Sequence, residues 1–124
     1  MSAPFSDDLR EFIHTWMKSV WAVELLLFLR RNDRSGWTVE ALTRELRSSN
    51  LLVEDILGNL LQAGVVKHSP EGYRYEPAAP FLDGLVRQLA DAYATRPLAV
   101  SKEILAGSRS HIQTFADAFK LKRD

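Results

Sequence analysis

Apolar residues recur at intervals of three or four along most of the chain, which is the spacing of one face of an α-helix. The first stripe predicts a helix that starts near residue 7, with Ser6 or Asp7 available as its N-terminal cap. Residues 19–31 are apolar on nearly every side, which is typical of a central helix packed on several faces. Residues 32–36 are rich in Asn, Asp, Ser and Gly and are expected to end this helix.

Two further helices are predicted on either side of a tight turn. Thr38 is a good cap for the first, which extends to about Arg47. Residues 48–50 form the turn and the next cap. The second helix runs from about Leu51 to Ala63 and stops at Gly64, a residue type that commonly ends helices. The apolar positions of the two helices are Val39, Leu42, Leu46, Val53, Leu57 and Leu60.

A β-hairpin is predicted next, because VVKH and YRYE are β-prone runs that flank SPEG, a turn with Pro and Gly. In YRYE the two tyrosines fall on one face while Arg74 and Glu76 fall on the other, as in a half-buried strand.

Prolines mark the start of the two helices predicted after the hairpin. Pro77 and Pro80 end the hairpin and begin a helix that breaks near Thr95. Pro97 suits the first position of a last helix, whose apolar stripe continues to the C-terminus. Gly107 and the serine after it offer a site for a kink.

Composition favours one compact domain: the chain has 124 residues, and 46% of them are hydrophobic. The 16 basic and 16 acidic residues cancel, so the overall positive charge that drives non-specific nucleic-acid binding is absent. Cysteine is absent, which excludes disulfides and thiolate metal sites. The longest apolar run, VWAVELLLFL, contains Glu24 and is too short to span a bilayer. The first residues lack the pattern of a secretion signal, so we expect a cytoplasmic protein.

The order of helix, short helix, turn, helix ending at glycine and hairpin resembles the winged helix-turn-helix superfamily. Bacterial arsenic-responsive and multiple-antibiotic-resistance-type regulators belong to it. The segments that carry the resemblance are WTVEALTREL, ILGNLLQAGVV and VVKHSPEGYRYEP. It implies a mainly α-helical winged helix-turn-helix in residues 19–77, with extra helices in residues 7–18 and 78–124.

The resemblance also implies that the helix ending at Gly64 is the DNA recognition helix. Its predicted exposed positions hold Glu54 and Asp55 and no cation, so they are repelled by phosphates. If the protein binds DNA, we expect phosphate contacts from basic and polar residues around this helix to dominate. The candidates are Arg44, Arg47, Ser48, Ser49, Asn50, Asn59, Lys67 and Arg74.

The same helix has apolar positions outside its core stripe, a composition better suited to contact with protein than with DNA. From AVELLLFL through GYRYEP the chain also resembles the winged-helix dimerisation domain of small-molecule O-methyltransferases. The apolar stripes of the N-terminal and C-terminal helices hold more residues than a winged core can cover. This favours a two-fold dimer, and packing within one chain is the alternative. The candidate interface residues are Leu51, Leu52, Leu61, Leu85, Leu89, Ile112, Phe115 and Phe119.

No catalytic, cofactor-binding or metal-binding motif is present. The three histidines are scattered, and His68 and Ser69 are neighbours on a strand and therefore point to opposite faces. Trp16, Trp21 and Trp37 are better explained as core residues than as the lining of a ligand pocket. Two non-enzymatic functions remain open, of which the first is the leading interpretation and the second the alternative. One is a transcription-associated regulator with at most weak, phosphate-dominated DNA binding. The other is a protein-interaction or dimerisation module that does not bind DNA.

Overall fold

The computed structural model describes residues 5–107. In chain order the elements are α1 (Asp7–Trp16), α2 (Val20–Arg31), α3 (Val39–Leu46), α4 (Asn50–Ala63), β1 (Val66–Ser69), β2 (Gly72–Tyr75), α5 (Pro80–Thr95) and α6, which occupies residues 97–107. The described part is mainly helical, and its strands form one antiparallel pair. The prediction of a mainly α-helical chain with a small hairpin is confirmed.

Four helices begin at a hydroxyl side chain that accepts the backbone N–H three residues later. Each hydroxyl oxygen lies 3.2 Å from the nitrogen, and the four caps are Ser6, Ser19, Thr38 and Ser49. These bonds satisfy donors that the first turn of a helix leaves without a partner. Because Ser49 is the cap of α4, Asn50 is helical and not part of the turn. The first helix ends at Trp16, two residues earlier than predicted, and α2 is bent by 108° relative to it.

The hydrophobic core surrounds α2, which contacts α3, α4 and β2. Leu25, Leu26 and Leu29 are fully buried, as predicted for a helix packed on several faces. Burial stabilises the fold by about 1.5–3 kcal/mol for each such side chain. The helices packed on α2 contribute further fully buried residues, among them Leu42, Val53, Leu57 and Leu60. Val20 and Trp21, in the first turn of α2, remain partly exposed.

The hairpin is tighter than predicted. Ser69 pairs with Gly72, which leaves Pro70 and Glu71 as a two-residue turn and starts β2 one residue before Tyr73. The φ angle of Gly72 is 120°, a value that side chains rarely tolerate. A Cβ at this position would lie 2.6 Å from the carbonyl oxygen of Trp37, so the close approach of the two chains also requires glycine.

Trp37 joins the loop before α3 to the hairpin. Its backbone N–H donates to the carbonyl of Tyr73 and its carbonyl accepts the Tyr73 N–H, both at 2.8 Å. Its indole N–H donates to the carbonyl of Asn32 at 3.0 Å, and its ring meets the Phe28 ring edge-on, with the centroids 4.8 Å apart. The hairpin is therefore fixed relative to α2 and α3.

The N-terminal helix α1 contacts both α5 and α6. Leu85 and Leu89 of α5 are buried, and α5 contacts α1. From α6, the Glu103 carboxylate lies 3.4 Å from Nε of Arg10 and 3.3 Å from Nε2 of His14. The predicted break near residue 95 is confirmed. The predicted continuation of the last helix beyond residue 107 lies outside the described residues.

None of the helices in residues 5–107 has both the length and the apolar composition that a membrane crossing needs. Only α1 and α2 counted together reach that criterion, and they are the two helices separated by the 108° bend.

Candidate interaction surface

The solvent-facing side of α4 is the first candidate surface. Ser49 caps the helix, and its apolar stripe packs on α2, so the remaining positions face water. Two of the candidate contacts on this helix, Leu52 and Asn59, are half-buried. Asn50, the first residue of the helix, is exposed. We call the exposed residues that follow it the α4 face; they are Leu51, Glu54, Asp55, Gly58, Leu61 and Gln62.

The α4 face is apolar and acidic. The Leu51 side chain is 79% exposed and the Leu61 side chain 38% exposed. Neither Glu54 nor Asp55 forms an ion pair with any side chain in residues 5–107. The helix contains no Lys or Arg. This surface therefore carries uncompensated negative charge beside an exposed leucine.

Two of the predicted phosphate-binding cations on the hairpin already have acidic partners. Lys67 Nζ lies 2.9 Å from the Glu76 carboxylate, and this contact lowers the pKa of Glu76. Arg74 donates to the backbone carbonyl of Arg34 at 3.2 Å and lies 3.9 Å from the Glu71 carboxylate. The hairpin thus presents little free positive charge.

The other predicted DNA contacts cluster at the turn between α3 and α4. Arg44 and Arg47 are exposed and form no ion pair within the described part of the chain. Arg47 ends α3 with a positive φ of 52°. The next three residues are Ser48, which is half-buried, and Ser49 and Asn50, which are exposed. The hydroxyl oxygen of Ser49 already accepts the N–H of Leu52. Asn59 is nine residues from Asn50, so it lies about 13 Å further along the helix axis.

The predicted protein-interface residues divide into three groups. Leu51 and Leu61 lie on the α4 face, and Leu52 is half-buried beside it. The assignment of Leu85 and Leu89 to an interface is corrected: they are 4% and 0% exposed because they pack inside the chain, where α5 meets α1. The remaining three, Ile112, Phe115 and Phe119, lie outside the described residues.

The three tryptophans lie in different surroundings within residues 5–107. Trp37 is held between Phe28 and the hairpin. Trp21 lines a groove of about 300 Å³ between α2 and α3, together with Glu24 and Leu46. Trp16 lines a second groove of about 390 Å³ between α1 and α5. Both grooves are open to solvent.

Residues 5–107 contain no cluster of metal-binding side chains. No three His, Asp or Glu side chains there are arranged to hold a metal ion. His68 stacks on Tyr73 with the ring centroids 4.3 Å apart. Ser69 Oγ donates to the Gly72 carbonyl at 3.3 Å and accepts the Glu71 N–H, so it is engaged in the turn.

Two tyrosine–carboxylate hydrogen bonds were not predicted from the sequence. Tyr93 donates to Glu24 at 2.5 Å, and this bond, followed by burial, raises the pKa of Tyr93 to about 12. Tyr75 donates to Asp83 at 2.7 Å. Burial, followed by this bond, raises the pKa of Tyr75 well above its ordinary value, and the same bond lowers the pKa of Asp83. One sequence signal was available for the first pair, because Glu24 interrupts an apolar helix.

Phe81 lies four residues before the buried Leu85 of α5, at the spacing of an apolar stripe, yet its side chain is 61% exposed. It forms part of the wall of the groove between α1 and α5.

No match to the chain was found among known protein-family models, curated proteins or solved structures.

Proposed function

We propose that the chain is a non-enzymatic winged helix-turn-helix module that binds an apolar and basic surface of another protein through its α4 face. In this assignment α3 and α4 are the two helices of the motif, and the β1–β2 hairpin is the wing. The element order α2, α3, turn, α4 and hairpin supports the fold assignment.

The composition of the α4 face carries the functional assignment. A recognition helix that reads DNA places donors and cations where this helix has Leu51, Glu54 and Asp55. Exposed carboxylates repel phosphates. In contrast, covering an exposed leucine with a protein surface lowers the free energy, because apolar surface is removed from water. Protein contact therefore fits this face better than DNA.

The charge of the α4 face also limits the choice of partner. In a two-fold symmetric contact, each copy of the face would bring its Glu54 and Asp55 against those of the other copy. Like charges in that position are unfavourable, and cationic groups are favoured instead. We therefore propose a different protein as the partner of this face, with Lys or Arg side chains around an apolar centre.

A transcription-associated regulator with weak, phosphate-dominated DNA binding is the second candidate. It is favoured by Arg44 and Arg47, which are exposed, have no acidic partner in residues 5–107 and lie next to the N-terminus of α4. Helix N-termini favour phosphate groups. Lys67 and Arg74 would contribute after exchanging their acidic partners for phosphates.

The protein-contact proposal is tested with a photo-crosslinking amino acid at position 51 in the host cell. Leu98 is the matched control, because it is an equally exposed leucine, at 77%, on α6. We expect a discrete adduct with another protein from position 51, absent from position 98, and lost after Glu54→Lys with Asp55→Lys. Equal labelling from both positions, or an adduct with a second copy of the chain, contradicts the proposal.

The DNA candidate is tested by fluorescence anisotropy with random duplex DNA at low salt. We expect no binding at concentrations of tens of micromolar. Binding that weakens as salt is raised, and that is lost in Arg44→Ala and Arg47→Ala, would contradict the protein-contact assignment and support the DNA-binding candidate instead.

A further inference from the structure

The groove between α1 and α5 has aromatic walls and an acidic rim. Phe12 and Trp16 of α1 face Phe81 and Leu82 of α5 across a volume of about 390 Å³. Phe81 is mostly exposed, although it is one of the largest apolar side chains in the chain. Such a groove between two helices suits an apolar stripe of side chains at helical spacing.

The rim of this groove carries negative charge. Asp8 and Glu11 of α1 line it, and neither forms an ion pair with a side chain in residues 5–107. Asp8 is already favoured in the first turn of a helix by the helix dipole. Glu11 lies beyond that turn, so the dipole does not account for it. The groove is therefore suited to a basic and apolar segment.

Residues 108–124, SRSHIQTFADAFKLKRD, have this chemistry. They contain four Lys or Arg residues against two Asp. Their bulky apolar residues Ile112, Phe115 and Phe119 follow at intervals of three and four. We infer that residues 108–124, the C-terminal segment, bind in the α1–α5 groove of the same chain.

Position favours the segment's own chain over a second copy. The segment follows Gly107, which lies against α1: a Cβ added there would be 2.9 Å from the Cα of His14. Since α1 also forms one wall of the groove, tethering supplies an effective concentration of about millimolar. Seventeen residues reach about 55 Å when extended, several times the length of α1 at about 1.5 Å per residue. Reach is therefore not limiting.

The α4 face is the competing acceptor, since it is also acidic and apolar. All six residues of the α4 face belong to one helix, however, whereas the groove is lined from two helices, with Trp16 on α1 and Phe81 on α5. Enclosure removes more apolar surface from water for the same segment. The groove is therefore the favoured site, and the inference is independent of the function proposed for the α4 face.

The test uses the full chain, which contains no cysteine. A nitroxide is attached to Asp117→Cys, and paramagnetic broadening is measured by NMR. Asp117 lies off the predicted apolar stripe, so the label leaves the contact intact. We expect loss of the Trp16 indole signal and of the Phe81 amide signal, while the Trp37 indole signal is retained.

Two variants in the labelled protein separate specific binding from chance proximity. Phe81→Lys places a cation in the groove at an exposed position, so the fold is retained and the Trp16 signal should return. Leu98→Lys makes the same change at a similarly exposed site on α6 and should leave the Trp16 signal broadened.

The alternatives give different results. In a mixture of labelled unenriched protein with unlabelled ¹⁵N-enriched protein, broadening of Trp16 would show that a second copy supplies the segment and would overturn the assignment to the same chain. Loss of the Leu51 and Leu61 amide signals in place of the Trp16 signal would assign the segment to the α4 face. No selective broadening anywhere would also overturn the inference.

Discussion

Replacing Tyr75 with phenylalanine tests how the hairpin is attached to α5. The side chain is 8% exposed, so phenylalanine keeps its buried ring and removes only the hydroxyl that donates to Asp83 at 2.7 Å. Hydrogen bonds to charged groups contribute about 1.5–3 kcal/mol. The Asp83 side chain is 34% exposed and keeps its contact with Arg87 at 3.2 Å, so screening reduces the loss to about 1–1.5 kcal/mol.

The effect of Tyr75→Phe should depend on pH. The bond from Tyr75 is the largest cause of the lowered pKa of Asp83. The Asp83 carboxylate therefore binds a proton less readily in the folded state than in the unfolded chain. Stability from the bond is fully present above the ordinary carboxyl pKa of about 3.9 and is lost as pH falls through the lowered value. The two proteins should differ more at pH 7 than at pH 3.

The assay is urea unfolding followed by circular dichroism at both pH values, together with thermal melts, in which we expect a decrease in Tm of about 5 °C at pH 7. Tyr73→Phe is the control, because the Tyr73 hydroxyl makes no hydrogen bond within the described residues. The account of the bond would be refuted if Tyr75→Phe lost no more unfolding free energy than Tyr73→Phe. It would also be refuted if Tyr75→Phe lost the same amount at both pH values.

Four further predictions concern two glycines, a second tyrosine and the oligomeric state. Gly72→Ala should destabilise the fold by at least about 2 kcal/mol in urea unfolding, since its φ is positive and its Cβ would clash with Trp37. Gly58→Ala, in exposed helix with nothing near the new Cβ, should instead stabilise by about 0.5–1 kcal/mol, and a reversed order would contradict both assignments. Tyr93 has a folded pKa of about 12, above its ordinary value of about 10, so its bond to Glu24 contributes stability that is complete below pH 10 and lost between pH 10 and 12. Tyr93→Phe should flatten the decline in unfolding free energy over that range, and an unchanged slope would argue against the bond. The apolar stripes of the terminal helices predict a dimer, so light scattering at tens of micromolar should give the mass of two chains. The mass of one chain would exclude this dimer.

The cap of α3, the end of α4 and most of the exposed positions of α4 were predictable because they depend on local sequence. A hydroxyl before an apolar stripe, as at Thr38, and a glycine after one, as at Gly64, act through neighbouring backbone groups. Once the core stripe is assigned, helical geometry sends the remaining residues to solvent. The exposure of the acidic residues Glu54 and Asp55 followed from that step alone.

The partners of Leu85 and Leu89 were not predictable. Helical periodicity indicates that one face of a helix is covered, and it is the same whether the cover is α1 of this chain or a second subunit. Only the packing of α1 against α5 decides between them.

The pairing of Lys67 was equally hidden. It depends on strand register, and register depends on which residues form the turn. SPEG is compatible with more than one turn. With Pro70 and Glu71 as the turn, Lys67 lies opposite Arg74 and within reach of Glu76.

The bridge between Trp37 and Tyr73 has a consequence for aggregation. Because Trp37 occupies the outer side of β2, β1 is the strand of the hairpin with an open edge. That edge is four residues long, carries Lys67 and is followed by Pro70. Short edges with a lysine and a nearby proline are poor templates for adding another strand. The hairpin is thus a poor starting point for an intermolecular sheet.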